Sequence, residues 1–227
     1  MAANPITTGE VTFEAPNSGR PCKTWYKIVG NLKSGPPLIA LHGGPGAGHN
    51  YLLPLTDLHE KHGIPVVFYD QIGSGNSTHL REKKGDITFW TFDLYIQELN
   101  NLVEHLKLQD TGFFLLGQSW GGMFGAIYAS RRPRGLKKLI ISSGPASIPL
   151  LVKGFERLIA ELPMDVRHTL EECNRRHDYE SPEFEKAAAV FYARHVCRLD
   201  PYPPEVQSAF ENLKDDPTAY LTLYVFK

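Results

Sequence analysis

Neither sign of charge dominates this chain: 24 Lys+Arg stand against 25 Asp+Glu over 227 residues, a formal net charge of -1. Phosphate backbones and anionic membranes call for a basic field, and none is supplied. Nucleic acid and membrane are therefore not expected as partners, and a small neutral ligand is. No stretch reaches the roughly 18 apolar residues of a membrane span. The opening MAANPITTGE lacks the basic and apolar regions of a signal peptide, so the expected location is cytoplasmic. Cysteine is scarce and odd in number. Cys22, Cys173 and Cys197 lie far apart and fit neither a disulfide framework nor a zinc site, so reduced thiols and no metal are expected. Internal repeats, low-complexity tracts and long linkers are also missing. What remains, 42% hydrophobic and 22% charged, suits an ordinary soluble domain with room for an inserted subdomain.

The hydrophobic pattern alternates between two periods. VTFEA (11–15) and TWYKIVG (24–30) read as an antiparallel opening, being rich in β-branched and aromatic residues and bounded by turns. PPLIALHG (36–43), IPVVFYD (64–70), GFFLLGQ (112–118) and LKKLIISSG (136–144) are apolar without polar alternation, as in parallel strands covered on both faces. Between them, residues 89–107 repeat apolar positions at three and four, from Phe92 and Tyr95 to Leu102 and Leu106, the spacing of an amphipathic helix. Strand and helix in alternation predict an α/β fold, a mostly parallel sheet with helices on both faces. From about 149 the strands stop and four helical stretches follow, up to PEVQSAFENLKDD. The expected division is a core over 1–148, a helical cap over 149–222 and a divergent tail over 223–227.

LLGQSWGGMFG (115–125) sets Ser119 between Gly117 and Gly121. Alone the pattern is modest, since at roughly 7% usage of glycine and serine it arises by chance about once in ten chains of this length. Its context is more specific. A strand ends at Gln118 and a helix rich in small residues opens at Gly121 and Gly122, so the serine occupies a strand-to-helix turn. A nucleophile elbow of this kind strains the serine backbone, lifts Oγ clear of the sheet and aims the next N–H, that of Trp120, at a developing oxyanion. The alternative is a serine without chemistry in a glycine-rich turn. HGGPG, comprising His42, Gly43, Gly44, Pro45 and Gly46, follows the strand PPLIAL. The loop after this strand donates the second oxyanion hydrogen bond in such folds, and glycine lets the backbone approach a carbonyl. Gly44 N–H is the candidate donor, against the plain alternative of a Gly-Pro-Gly turn.

HGGPG, then DQIGSGNS (70–77), then GQSWGG (117–122) together resemble the proline iminopeptidase (prolyl aminopeptidase) family of α/β-hydrolases, including its amino acid amidase relatives. The resemblance runs over residues 10–222. It implies an α/β-hydrolase fold with a helical cap. It also implies a serine hydrolase that releases an N-terminal residue, proline or another small one, from a small peptide or amino acid amide. Ser119 would form the acyl-enzyme, Gly44 and Trp120 would make the oxyanion hole, and no cofactor would be needed. Ile72 stands where many members carry arginine, and Asp70 reads as ordering its turn.

Members of this fold continue, in chain order, with an acid and then a histidine on loops after later strands. Here the downstream acids Asp165, Asp178, Asp200, Asp215 and Asp216, and His168, His177 and His195, fall in the helical pattern and read as solvated or capping residues. Relatives carry a segment like Tyr-Leu-Thr-Met-Asn-Gly-Pro-x-Glu-Phe where this chain has Tyr220-Leu221-Thr222-Leu223-Tyr224-Val225-Phe226-Lys227. Such a break would follow from an altered reading frame, a retained intron or a wrong gene model, and the expectation is a truncated product lacking the last core strands and the family's acidic clamp for the substrate ammonium. LKKLIISSG would then be an exposed edge open to self-association. Three readings stay open: a hydrolase by lineage, active in a longer form; a catalytically silent binding or interfering fragment; and a hydrolase with a triad rearranged around His168, His177 or His195. Aromatics of the cap, Phe191, Tyr192, Tyr202 and Phe210, could close over a small residue or form the cap's own core.

Overall fold

The structure, a computed structural model, describes residues 5–179 and 181–224. Val225, Phe226 and Lys227, most of the expected divergent tail, lie outside the described residues. Strands β1 (Ile6–Phe13) and β2 (Cys22–Val29) pair antiparallel from Ile6 with Val29 to Phe13 with Cys22, the expected antiparallel opening. They join β3 (Leu38–Leu41), β4 (Val66–Tyr69), β5 (Phe113–Gln118) and β6 (Leu136–Ser142) in one six-stranded sheet ordered β1-β2-β4-β3-β5-β6. β3 lies between β4 and β5 and runs parallel to both. Every residue of β3 and β4 is buried, which explains apolar runs with no polar alternation.

β6 departs from the buried reading of its apolar run. It has one neighbour, β5, and Ile140 and Ile141 are 51% and 50% exposed. No strand lies on its outer side among the described residues, and the two side chains are only partly covered. It matches instead the expected exposed edge.

Helices α1 (Asp57–His62), α2 (Phe92–His105), α3 (Leu108–Thr111) and α4 (Trp120–Ser130) lie between or beside these strands in the chain. α2 occupies the centre of the predicted stretch, with Thr91 Oγ1 accepting from Leu94 N–H at 3.2 Å as its N-cap. Its buried stripe, Leu94, Tyr95, Leu99, Leu102 and Val103, follows the three-and-four spacing. The four later stretches are helices too: α5 (Ile148–Ala160), α6 (Met164–Arg176), α7 (Pro182–His195) and α8 (Pro204–Asp215).

The chain divides into two compact units, the described residues of Met1–Gly144 with Glu205–Lys227, and Pro145–Pro204. This differs from a cap over 149–222, because α8 and a further helix, α9 (Thr218–Tyr224), pack on the first unit. Asn212 donates to Ala47 O at 3.0 Å, Gly85 N–H donates to Thr222 Oγ1 at 2.9 Å, and Ala219 and Leu223 enter the main core. Thr218–Tyr224 is thus helical, with Ala219, Thr222 and Leu223 buried at helical spacing. The second unit has a core of its own around Leu162, Leu170, Ala187, Ala188 and Phe191. Of the four aromatics, Phe191 belongs to that core, whereas Tyr192 is 38% exposed.

Candidate active site

β5 delivers Ser119 to the first turn of α4, with φ 54° and ψ -117°, a backbone region that side chains avoid. Tight packing holds it there. A Cβ on Gly117 would lie 2.1 Å from Gly121 O, and a Cβ on Gly121 would lie 2.1 Å from Leu41 O. Only glycine permits this approach of strand and helix. The same contacts bring HGGPG to the elbow: a Cβ on Gly121 would also meet His42 O, and one on Gly43 would meet Gln118 Oε1.

Trp120 begins α4, where the first N–H groups have no partner within the helix. Gly44 has φ 111°, and a Cβ there would strike Gly46 N at 2.5 Å. Among the described residues, neither the Trp120 nor the Gly44 backbone N–H donates a hydrogen bond. The remaining motif residues brace these two. Pro45 follows Gly44 through a cis peptide bond, and Gly46 takes φ 114° against Leu213 of α8. Gly122 packs against Gly144 at the end of β6.

Fully buried, His42 accepts from Gln71 N–H through Nε2 at 3.0 Å, so Nδ1 carries the proton and donates to Gly43 O at 2.9 Å. Burial lowers its pKa below the ordinary imidazole value. It is a neutral brace whose two nitrogens are both engaged. Asp70 is likewise buried, with Oδ1 accepting from His49 N–H and His49 Nδ1 and Oδ2 from the backbone and side chain of Asn76. Burial alone would raise its pKa, but the hydrogen bond from His49 and its other partners outweigh that and hold it below the usual carboxylate value. This carboxylate orders the turn, as its sequence reading implied. Ile72 buries its side chain and donates its N–H to Glu98 at 2.9 Å.

Among the described residues of the first unit, no histidine or carboxylate is hydrogen-bonded to the Ser119 hydroxyl. His49 pairs with Asp70, His79 with Asp216, and His105 with Tyr26. Asp215 pairs with Arg81, and Asp216 also accepts from Thr218 N–H at the start of α9. His168 lies on α6, His177 caps that helix in a left-handed conformation and His195 ends α7, all three exposed within the second unit. Asp165 is in the first turn of α6, and Asp178 accepts from Ser181 N–H.

Two residues went unassigned in the sequence. Gln71 and Tyr51 hydrogen-bond to both glycine motifs. The available signal was the position of Gln71 directly after a buried strand, beside Asp70. Tyr51, in a short 3-10 segment at Asn50–Thr56, gave none.

The α/β-hydrolase fold family model matches residues 36–225. A proline iminopeptidase of Thermoplasma volcanium is 40% identical over 187 residues, which are 82% of this chain and 61% of that protein. The chain spans about three fifths to two thirds of the length of the curated relatives it matches. Among solved structures, VinJ superimposes with TM-score 0.88 at 43% identity, covering 95% of this chain and 70% of that one. A proline iminopeptidase from Mycobacterium smegmatis gives 0.80 at 36% identity over 94% and 70%. A mixed six-stranded sheet carrying a strained serine between obligatory glycines, with these likenesses over most of the chain, places it in the proline iminopeptidase family of α/β-hydrolases.

Proposed function

We propose that this chain carries the nucleophile and oxyanion hole of a proline iminopeptidase-type serine hydrolase. That enzyme releases an N-terminal proline or other small residue from a peptide or amino acid amide. The supporting observation is the conformation of Ser119, φ 54° and ψ -117° between Gly117 and Gly121, beside two backbone N–H groups left without acceptors among the described residues. In this reading Ser119 Oγ gives its proton to a base and attacks the carbonyl of the N-terminal residue, and Gly44 and Trp120 N–H stabilise the oxyanion; its collapse breaks the amide C–N bond and expels the amine, which takes up that proton, and water then hydrolyses the acyl-enzyme to release the residue and restore Ser119.

A second reading has its own support. Serine is a weak nucleophile until a base takes its proton, and no described histidine or carboxylate of the first unit is hydrogen-bonded to the Ser119 hydroxyl. Disabling a triad in a characterised protease costs about a millionfold in turnover and leaves roughly 10³ to 10⁴ over water, from oxyanion binding alone. Residues 1–227 by themselves are therefore proposed to be nearly silent, acting as a binding or interfering species. A form of the protein that adds a histidine and an acid beside Ser119 would carry the activity. Fluorophosphonate labelling of the folded 227-residue chain tests this, read by mass spectrometry with Ser119→Ala as blank. Slow labelling confined to Ser119, with proline p-nitroanilide left intact, is expected. Labelling as fast as that of an intact serine hydrolase would overturn the silent reading, and labelling elsewhere would remove Ser119 as nucleophile.

A further inference from the structure

The two halves of the proposed oxyanion hole come from loops far apart in sequence, and two polar side chains outside both motifs join them. Gln71 is fully buried two residues after the end of β4. Its Nε2 donates to His42 O at 3.0 Å and its Oε1 accepts from the Trp120 indole Nε1 at 3.0 Å. The amide orientation follows from its partners, because a carbonyl can only accept and an indole N–H can only donate. The indole is further held by Phe92, stacked at 4.8 Å and 13°, and by the edge of Tyr95. Tyr51 makes the second link. Its hydroxyl accepts from Gly43 N–H at 2.6 Å and donates to Gln118 Oε1 at 2.6 Å. Burial pushes its pKa up, so the proton it donates stays in place.

Each link ties a residue just before Gly44 to a residue directly beside Ser119. His42 is joined to Trp120 through Gln71, and Gly43 to Gln118 through Tyr51. Two struts with four fixed ends hold one loop against the other more firmly than either would alone. From this the geometry points to Gln71 and Tyr51 as positioning residues that set the spacing of the Gly44 and Trp120 amides before any substrate arrives. The inference rests on the oxyanion-hole reading above. Preorganised donors stabilise a transition state because they need no rearrangement as charge develops, and a misplacement of about 1 Å can cost about a hundredfold in rate.

The test is single-turnover acylation of Ser119 by a p-nitrophenyl ester, read by intact mass. This reaction draws on the oxyanion hole and proceeds, slowly, without a base. Gln71→Met and Trp120→Phe cut the first strut from opposite ends, Tyr51→Phe cuts the second, and Ser119→Ala is the blank. Each cut is expected to lower the limiting acylation rate about ten- to a hundredfold while the ester concentration for half-maximal rate stays the same. Gln71→Met is also expected to shift the Trp120 indole N–H resonance, one of three in the chain, which Trp120→Phe assigns by deletion. Folded variants that acylate like the parent, with the indole resonance unmoved, would overturn the struts and leave the nucleophile intact. A parent acylated no faster than Ser119→Ala would overturn the nucleophile reading and the struts together.

Discussion

Ser119 at φ 54° and ψ -117° stores backbone strain of about 1–3 kcal/mol, and glycine alone could adopt that conformation freely. Ser119→Gly is accordingly expected to be neutral or to stabilise the chain by about 1 kcal/mol, net of glycine's greater entropy loss. Urea denaturation checks this, and a loss of stability beyond about 1 kcal/mol would deny the strain. Gly121→Ala has the opposite sign. Its methyl would meet a backbone oxygen at 2.1 Å, so a loss of about 3 kcal/mol or more is expected. Glu98 is fully buried on α2. Burial raises its pKa from 4.5 to about 8, against the lowering effect of hydrogen bonds from Thr24 and Ile72. Between those values the folded state binds a proton that the unfolded state has lost, so this group's contribution declines as pH rises through the window. Glu98→Gln should remove that decline, which is of order a few kcal/mol. Denaturation midpoints at pH 5 and pH 8 measure it, and parallel pH profiles for the two proteins would contradict it.

Between elements, the loop after β4 is clamped to the α8–α9 junction by His79. Its Nδ1 faces the Asp216 carboxylate and its Nε2 faces Gly75 O at 2.9 Å. Two acceptors call for two protons, so the ring is an imidazolium. The bond to Asp216 raises the His79 pKa above 6.5. Burial would raise the Asp216 pKa, but the bonds from His79 and Thr218 win and lower it below 3.8. The His79 contribution is complete below 6.5 and fades as pH climbs through the raised value. The Asp216 contribution is complete above 3.8 and fades as pH falls through the lowered one. Hydrogen exchange in α9, corrected for intrinsic rates, is expected to be slowest between these limits, and Asp216→Asn to flatten the profile. A profile that the variant leaves unchanged would remove the clamp. No such link was legible in the sequence, because its partners stand 137 residues apart. Glycine spacing, by contrast, placed Ser119 on a strand-to-helix turn, and unbroken apolar runs marked β3 and β4. α9 escaped because a short apolar run has no period of its own to separate helix from strand, and only packing against Trp90's surroundings and Gly85 decided it.

β6 is an open edge of the sheet among the described residues, with Ile140 and Ile141 half exposed. Such edges pair with other chains. Concentration-dependent self-association of the 227-residue chain in sedimentation velocity is expected, and Ile140→Lys should weaken it. A monomer at all concentrations would show the edge to be inert. The larger question is what a poised serine does when no described base of its own unit reaches it. The pH dependence of Ser119 acylation by an activated ester answers this most directly. If the oxyanion hole works without a base, the rate climbs steadily with hydroxide and shows no step in the range where histidine titrates. A rapid reaction with a sigmoidal step near pH 6.5 would reveal an imidazole already serving the hydroxyl, and would contradict the account.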